Sequence, residues 1–308
     1  MRLVTYGGRS RGRPGVLSPA GDVVDLRALC ASLDLEPPAS VAEFIGQSPA
    51  SRDRVGRRVA ALDPERDRSW ISPRGVVELL PPMGADVLVL ATSGNYLSHL
   101  EEMGVTAAAP LNAFIVSPRS LVGDGQPIVL PAGGSGMVDW EGEFCVVFGR
   151  NCHRASAAEA MACVAGYTLF NDVSARDWVA RGRPRDPEEA VVAWRNNIAF
   201  KQFPSFGPIG PAIVTVDEIP DPAELELVTT VTGAVMQRDR VGRMRRSIGE
   251  ILAELSLVHR FEPGDVVTLG TPAGVGMAMS PPRFLRAGDE VTVSVAGIGR
   301  LRNPVLAR

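Results

Sequence analysis

Two glutamates stand two residues apart in the segment MVDWEGEFCVVFGR, residues 137–150, which otherwise has the composition of a buried β-strand. Residues i and i+2 of a strand point to the same face, so Glu141 and Glu143 would lie side by side, with Trp140 and Phe144 on the opposite face. Burying two like charges is costly unless a cation compensates them. A strand end that projects into solvent would also explain the pair, and both interpretations stay open on these residues alone.

A third carboxylate, Asp172, closes the apolar run YTLFND at its polar end. Carboxylate oxygens without a neighbouring Cys or His are the ligands that hard cations prefer. We therefore expect Glu141, Glu143 and Asp172 to hold Mg²⁺, with Mn²⁺ or Ca²⁺ as alternatives. Three protein ligands would leave coordination positions open for a substrate, which suits a metal that acts as a Lewis acid.

A histidine, a glutamate and a lysine could supply the acid–base chemistry. His99 and Glu102 lie three residues apart in NYLSHLEEM, which places both side chains on one face of a helix. A bonded glutamate orients a histidine and stabilises its protonated form, as a general base requires, although an ordinary exposed pair has the same spacing. Lys201 is the single lysine among 32 basic residues, so the other 31 are arginine. Chance would explain one lysine, and so would a need for a compact ammonium with a tunable pKa.

Short apolar runs between turns surround these residues, and glycine and proline together account for 57 (32 plus 25) of the 308 residues. This pattern predicts a mostly β chain with short helices, of the α+β class. Buried strands are expected at residues 86–93, after residue 140 and at residues 167–173. Helices are expected with Asn95, Ser156 and Ser247 as N-caps, the first ending at Gly104 and the last carrying a Ser247–Glu250 capping box.

The first part of the chain has the pattern of a separate small unit. MRLVTYGG, RPGVLS and GDVVDLRAL resemble short strands with turns, and SVAEFIGQ resembles a short helix. The paired prolines of LLPPMG, residues 79–84, predict a linker, because proline interrupts both helices and strands. We therefore expect a small N-terminal α/β domain at residues 1–82 and a larger catalytic domain at residues 83–308.

Composition argues against several classes of partner. The net charge is −3 and the isoelectric point is near 5.8, which does not favour nucleic acid or an anionic membrane as the main partner. No apolar run approaches the ~20 residues of a membrane-spanning helix, and no signal peptide is recognisable. Four cysteines without a CxxC pair indicate a reduced, cytoplasmic protein. GTPAGVG, residues 270–276, lacks the Lys-Ser/Thr of a phosphate loop, so its glycines are expected to let the backbone approach a ligand or turn a corner.

Five segments together resemble the landmark segments of the fumarylacetoacetate hydrolase family, from about residue 86 to residue 304. In chain order they are NYLSHLEEM, EGEFCVVFGR, GYTLFNDVSARD, KQFPSFGPIGPAIVT and EPGDVVTLGTPAGVG. The resemblance implies a mixed β-roll of layered β-sheets, preceded by a small variable N-terminal domain, and assembly as a homodimer.

The resemblance also implies roles for individual residues. Glu141, Glu143 and Asp172 match the family's ligands for Mg²⁺ or Mn²⁺. His99 and Glu102 match a dyad on a lid segment that activates water, and Lys201 matches an active-site lysine. The residues expected to bind the substrate are Thr271, Arg176, Gln202 and Tyr96. Trp178 departs from the family pattern, because many members carry glutamine there. The Arg-rich loop 179–197 follows it, and if this loop borders the pocket, the tail of the substrate would differ from that of short acylpyruvates.

The reaction implied is hydrolysis of a carbon–carbon bond in a β-diketo acid, either an acylpyruvate or a fumarylacetoacetate-like acid, in the catabolism of aromatic compounds. The partner implied is a small 2-oxo acid substrate. The same scaffold also hosts hydratases, isomerases and decarboxylases that act on 2-oxo or 2-hydroxydienoic acids, because a fold does not determine its reaction. A Schiff-base lyase that uses Lys201 and a non-catalytic metal-binding protein are the alternatives from other classes.

Overall fold

The computed structural model describes residues 1–8, 12–84, 87–104, 111–132, 135–179 and 198–308, with the backbone alone at residue 179. Most of the regular structure in these residues is β-strand, which confirms the mostly β class. None of the helices within the described ranges combines the length and the apolar character needed to cross a membrane.

The strands and helices are short and are joined by many turns. In chain order the strands are β1 (Arg2–Tyr6), β2 (Arg13–Leu17), β3 (Val23–Asp25), β4 (Ile71–Ser72), β5 (Leu79–Leu80), β6 (Val89–Ser93), β7 (Asn112–Ile115), β8 (Leu121–Val122), β9 (Ile128–Val129), β10 (Val138–Asp139), β11 (Gly142–Phe148), β12 (Val164–Asn171), β13 (Ser174–Ala175), β14 (Gly207–Thr215), β15 (Glu226–Val231), β16 (Ala234–Arg240), β17 (Val266–Thr268), β18 (Glu290–Val295) and β19 (Gly299–Leu306). The helices are α1 (Leu26–Ala31), α2 (Val41–Gly46), α3 (Pro49–Ala60), α4 (Leu97–Glu102), α5 (Ala157–Ala162), α6 (Arg176–Val179) and α7 (Ile248–Ser256).

A large mixed sheet forms the centre of the structure, in the order β4-β3-β2-β1-β14-β12-β11-β17-β6-β7, with β5 also paired with β1 and β8 with β14. Strand β11 pairs with β12 and β17 in antiparallel fashion, and β17 pairs with β6 in parallel. A five-stranded sheet, β16-β15-β18-β19-β9, packs against β11 and β12. The layered sheets agree with the β-roll that the sequence implied.

Both faces of β11 are buried, which explains its apolar composition. Phe144, Val146 and Phe148 belong to a core cluster that also holds the buried side of α7. Cys145 and Val147 on the other face belong to a second cluster. Trp140 stands before β11 and belongs to a third cluster, and its place on the face of Phe144 stays a prediction.

The N-terminal strands continue the central sheet, because β1 pairs with β14 on one side and with β2 on the other. The segment LLPPMG, predicted to be a linker, begins with β5, which pairs with β1. Its prolines follow the two paired residues and end the strand there. Met83 in the same segment is buried in the core. The division into domains at residues 1–82 and 83–308 stays a prediction.

Two predicted helix starts are confirmed and one was wrong. Ser156 and Ser247 each form a complete capping box, with Glu159 and Glu250 respectively. Helix α4 begins one residue later than predicted, after Tyr96, and ends before Gly104, whose φ of +68° suits a helix end.

Asn95 does not cap α4, because the helix begins one residue further on, after Tyr96, and the Asn95 side chain is directed into the core. The amide nitrogen of Asn95 donates to Thr92 Oγ1 and to the carbonyl oxygen of Leu269, each at 2.9 Å. These contacts tie the start of the His99 segment to strands β6 and β17. The segment is therefore anchored by tertiary contacts rather than by a local cap.

Candidate metal and catalytic site

Three carboxylates meet where β11 and β12 lie side by side. Gly142 pairs with Asn171 in the antiparallel register, so Glu141 just before β11 lies opposite Asp172 just after β12. The amide nitrogen of Asp172 donates to the carbonyl oxygen of Glu141 at 2.9 Å. One carboxylate oxygen each of Glu141, Glu143 and Asp172 lie within 4.8 Å of one another, a grouping that could hold a metal ion.

The three side chains are buried, with exposed fractions of 6%, 1% and 3% for Glu141, Glu143 and Asp172. Burial, and then repulsion by Asp172 and Glu141, holds the pKa of Glu143 well above its ordinary value. Burial likewise raises the pKa of Asp172 to about 6, although Lys201 opposes this. Burial alone would also raise the pKa of Glu141, but nearby positive charges lower it to about 2. The interpretation of Glu141 and Glu143 as a solvent-exposed strand end is therefore wrong.

Two buried cations contact this cluster. Lys201 Nζ lies 2.7 Å from Glu141 Oε2 and 2.7 Å from Asp172 Oδ2. Burial would lower the pKa of Lys201, but these two carboxylates raise it. The guanidinium of Arg176 bonds Glu141 Oε1 through Nη2 and donates from Nε to Asp139 Oδ2 at 3.0 Å. Both cations of the cluster are thus paired with carboxylates.

With every group ionised, the charges of the cluster do not balance, and the imbalance has the sign that a divalent cation would correct. Four buried carboxylates, those of Asp139, Glu141, Glu143 and Asp172, face two buried cations. Oxygen ligands and an uncompensated negative charge suit Mg²⁺, Mn²⁺ or Ca²⁺. The residues present therefore fit the metal that the sequence implied.

The predicted dyad is formed on α4. His99 Nδ1 lies 2.7 Å from Glu102 Oε1, and each of the two side chains is 18% exposed. The other carboxylate oxygen of Glu102 accepts from the amide nitrogen of Gly274 at 2.8 Å. A positive charge on His99 would add to the effect of Lys201 and Arg176 in lowering the pKa of Glu141. With Nδ1 directed to Glu102, Nε2 is the ring nitrogen available for proton transfer.

The glycine-rich loop after β17 connects the carboxylate cluster with the dyad. The amide nitrogen of Gly270 donates to Glu143 Oε2 at 3.2 Å, and that of Gly274 donates to Glu102. The amide of Gly276 donates to Asp139 Oδ1 at 2.7 Å. Gly274 has a φ of +104° and packs against the backbone of Met236, so a side chain would not fit there. The loop supplies backbone donors to acidic side chains of the site.

The four residues predicted to bind substrate lie in different surroundings. Arg176 is engaged by Asp139 and Glu141, as described above. The hydroxyl of Thr271 donates to the carbonyl oxygen of Gly142 at 2.9 Å and accepts from Gln237 Nε2 at 2.7 Å. Gln202 follows Lys201 in the chain, but its side-chain oxygen accepts from the amide of Ser117 at 2.6 Å.

Tyr96 is fully buried, and its hydroxyl has no hydrogen-bond partner among the described residues. Burial raises the pKa of Tyr96, and the negative charges of Asp239 and Glu143 raise it further. The roles of these four residues in substrate binding stay predictions.

Trp178 packs edge-on against Phe200 and Phe203, and its ring centroid lies 5.3 Å from that of Phe200 and 5.5 Å from that of Phe203. The loop that follows, residues 180–197, lies outside the described residues.

Three residues of the site were not predicted from the sequence. Asp139 holds Arg176, Thr268 donates its hydroxyl to Glu143, and Gln237 contacts both Gly142 and Thr271. Asp139 had a local signal, because it stands two residues before Glu141 in an apolar run. Thr268 and Gln237 had none, because their partners come from other strands.

Comparison with known proteins identifies the family of the chain. Residues 89–306 match the family profile described as fumarylacetoacetate (FAA) hydrolase C-terminal. The human mitochondrial protein oxaloacetate tautomerase FAHD2A is 35% identical over 286 residues, which cover 93% of this chain and 84% of that protein. The solved structure of fumarylacetoacetate hydrolase from psychrophilic Exiguobacterium antarcticum superposes with a TM-score of 0.77 at 31% identity and covers 100% of both chains. The solved structure of 5-carboxymethyl-2-hydroxymuconate delta-isomerase from Mycobacterium smegmatis superposes with a TM-score of 0.71 at 30% identity. The match covers 100% of this chain and 99% of the isomerase chain. The chain belongs to the fumarylacetoacetate hydrolase family, whose members include enzymes named as hydrolases, isomerases and tautomerases.

Proposed function

We propose that this protein is a divalent-metal-dependent hydrolase that cleaves a carbon–carbon bond in a β-diketo acid of the acylpyruvate or fumarylacetoacetate type. The observation that carries the proposal is a bonded His99–Glu102 dyad beside a buried cluster of carboxylates with an excess of negative charge. Hydrolysis needs a general base for water and a site that stabilises an enolate, and this arrangement offers both.

The carboxylates of Glu141, Glu143 and Asp172 would hold Mg²⁺ or Mn²⁺, which when bound supplies the positive charge that favours an enolate over its ketone. Lys201 reaches the same carboxylates and places a second positive charge at the cluster. Burial of these groups keeps water from weakening their interactions with a bound 2-oxo acid.

The dyad would carry the proton through the reaction. His99 Nε2 takes a proton from water while Glu102, bonded to Nδ1, stabilises the imidazolium. The hydroxide oxygen attacks the distal carbonyl carbon, and the bond from that carbon to the neighbouring CH₂ breaks. The electron pair of that bond becomes the enolate of the leaving oxo acid, which takes the proton back from His99 at carbon. An acylpyruvate thus gives a carboxylic acid and pyruvate, and a fumarylacetoacetate-type acid gives a carboxylic acid and a 3-oxo acid.

A second candidate is tautomerisation of a 2-oxo diacid, favoured by the identity of 35% over 93% of this chain to a protein named oxaloacetate tautomerase. The same groups would serve it. His99 would remove a proton from the carbon beside the ketone, and a proton would be returned to the ketone oxygen. No water is consumed and no carbon–carbon bond breaks, so the products distinguish the two reactions.

The test is a substrate panel with product analysis. Purified protein with Mg²⁺ or Mn²⁺ is mixed with acylpyruvates, fumarylacetoacetate and oxaloacetate, and the products are identified by mass spectrometry and NMR. We expect acylpyruvates to give a carboxylic acid and pyruvate, and we expect EDTA to stop this. Faster enol–ketone interconversion of oxaloacetate without cleavage of any compound would favour the tautomerase. Undiminished turnover after exhaustive EDTA treatment, with covalent trapping of Lys201 by borohydride, would instead indicate a Schiff-base lyase.

The assembly and location belong to the same proposal. We expect a homodimer in the cytoplasm that binds a small 2-oxo acid from the breakdown of aromatic compounds. Light scattering after size exclusion should give about twice the chain mass of 32.7 kDa. A mass of one chain at micromolar concentration would contradict the dimer without affecting the proposed chemistry.

A further inference from the structure

Gly142, the residue between two of the proposed metal ligands, is held by side chains on both of its peptide groups. Its amide nitrogen donates to Gln237 Oε1 at 2.9 Å, and its carbonyl oxygen accepts from Thr271 Oγ1 at 2.9 Å. A Cβ at this position would overlap the hydroxyl of Thr229, so only glycine fits. The backbone that separates Glu141 from Glu143 is therefore fixed from outside its own strand.

Gln237 completes this arrangement from the five-stranded sheet. It lies on β16 and is 1% exposed. Its Oε1 accepts from Gly142, and its Nε2 donates to Thr271 Oγ1 at 2.7 Å and to the carbonyl oxygen of Pro272 at 2.9 Å. Both hydrogens and the oxygen of the side-chain amide are thus used, which leaves one orientation that satisfies every partner. A single buried side chain links β16, the start of β11 and the glycine-rich loop.

The Gln237 amide also determines what the hydroxyl of Thr271 can do. Nε2 can only donate, so Thr271 Oγ1 accepts that bond, and its own hydrogen goes to the carbonyl oxygen of Gly142. In this arrangement the hydroxyl has no second hydrogen to offer a substrate carboxylate. Thr271 and Gln237 form one bridge to Gly142.

We propose that Gln237 is a positioning residue, which through Thr271 and the backbone of Gly142 sets the spacing of the Glu141 and Glu143 carboxylates around the metal ion. The inference rests on the proposed metal-dependent function and names a determinant of that site's metal affinity. The described hydrogen bonds of the Gln237 side chain reach Gly142, Thr271 and Pro272 and none of the three carboxylates proposed to hold the ion. Groups that orient metal ligands in this way typically account for about 10- to 100-fold in metal affinity.

The test measures Mn²⁺ affinity without substrate, by calorimetry and by the electron paramagnetic resonance signal of the bound ion. Gln237→Met keeps the side-chain length and removes all three hydrogen bonds. Thr271→Val keeps the shape of Thr271 and removes the bridge at its other end. Each variant is expected to bind Mn²⁺ about tenfold more weakly than the wild type. The double variant should bind little more weakly than either single one, because both changes break the same bridge.

Gln126→Met is the matched control. Gln126 is 5% exposed, accepts from the amide of Gly123 at 2.6 Å and donates to Glu78 Oε1 at 2.6 Å. It lies in the region of β8 and β9 and contacts none of the proposed metal ligands. Its replacement should lower the melting temperature, as any buried amide does when its bonds are lost, and should leave the Mn²⁺ dissociation constant unchanged.

The outcomes separate the inference from the function on which it rests. Wild-type Mn²⁺ affinity in folded Gln237→Met, or equal losses in Gln126→Met, would overturn the positioning role. If Gln237→Met does not fold, Thr271→Val decides, and wild-type affinity in that variant overturns the role as well. A fully additive double variant would contradict a shared bridge. A wild-type protein that binds neither Mn²⁺ nor Mg²⁺ would overturn the proposed function and the inference together.

Discussion

Replacing His99 with asparagine is expected to lower kcat by about 10²- to 10⁴-fold and to leave the affinity for Mn²⁺ nearly unchanged. His99 lies beside the carboxylate cluster but is not one of the three carboxylates that would hold the ion. Asparagine can still donate a hydrogen bond toward Glu102, so α4 should keep its place, but it cannot take a proton from water. The loss should therefore appear in the chemical step.

The measurement pairs steady-state kinetics on the best substrate of the panel with Mn²⁺ titration of the same samples. His153→Asn is the matched control, because His153 is exposed and its only described hydrogen bond reaches the carbonyl oxygen of His259 at 3.3 Å. We expect this control to match the wild type in both measurements. A His99→Asn variant with full kcat would remove the dyad from the mechanism, and one that loses Mn²⁺ binding in proportion to activity would make His99 part of the metal site.

The carboxylate cluster could be predicted from sequence because its signals are local. Glu141 and Glu143 are two residues apart at the start of one strand, and Asp172 ends the next strand in the sheet. Antiparallel pairing of consecutive strands then brings the two ends together. The same holds for His99 and Glu102, whose spacing of three residues defines a helix face.

The groups that support the cluster could not be predicted in this way, because their partners are remote in the chain. Gln237 is 95 residues from Gly142, and Arg176 is 37 residues from Asp139. Neither spacing carries a local pattern. The packing of the five-stranded sheet on the central sheet brings Gln237 to Gly142, and the pairing of β10 with β13 brings Arg176 to Asp139. The alternation of side chains along a strand shows which residues share a face, but it does not show that both faces of β11 are buried.

Helix boundaries show the same limit. Ser156 and Ser247 were identified as caps because the capping box depends on a residue three positions away. Asn95 has an equally suitable side chain, but its amide bonds Thr92 and Leu269 instead. The helix begins one residue further on, after Tyr96, and nothing in the side chain of Asn95 itself signals that shift.

Glutamine at position 143 is expected to stabilise the ion-free protein and to weaken the ion-bound one. Without an ion, the carboxyl of Glu143 is buried beside Asp172 and Glu141, and these surroundings raise its pKa because they disfavour its charge. The amide oxygen of glutamine can still accept from Thr268 and from the amide of Gly270, which both bond Glu143. In EDTA, Glu143→Gln should therefore raise the free energy of unfolding, on the order of 1 kcal/mol.

With an ion, the same substitution removes a charged ligand. Residues that only support ligands typically contribute about 10- to 100-fold to metal affinity, so the loss of a ligand should lower the affinity for Mn²⁺ by at least about 100-fold. At a free Mn²⁺ concentration 100 times the wild-type dissociation constant, binding stabilises the wild type by about 2.7 kcal/mol. A 100-fold weaker variant would gain only about 0.4 kcal/mol under the same conditions. Urea denaturation of each protein in EDTA and in Mn²⁺ gives the free energy of unfolding without the ion and the stabilisation that the ion adds.

Asp67→Asn is the control with the opposite sign. Asp67 is also buried, but it is paired with Arg58 at 2.6 Å and accepts from the amide of Asp63 at 3.0 Å, and these bonds lower its pKa. Removing its charge should lower stability by the same amount in EDTA and in Mn²⁺. A Glu143→Gln variant that behaves like this control would mean that Glu143 serves stability rather than an ion. If Glu143 is a metal ligand, Glu143→Gln should be more stable than the wild type without the ion and should gain little stability from Mn²⁺. A carboxylate that only stabilises the fold, such as Asp67, should show neither effect, because its removal lowers the free energy of unfolding.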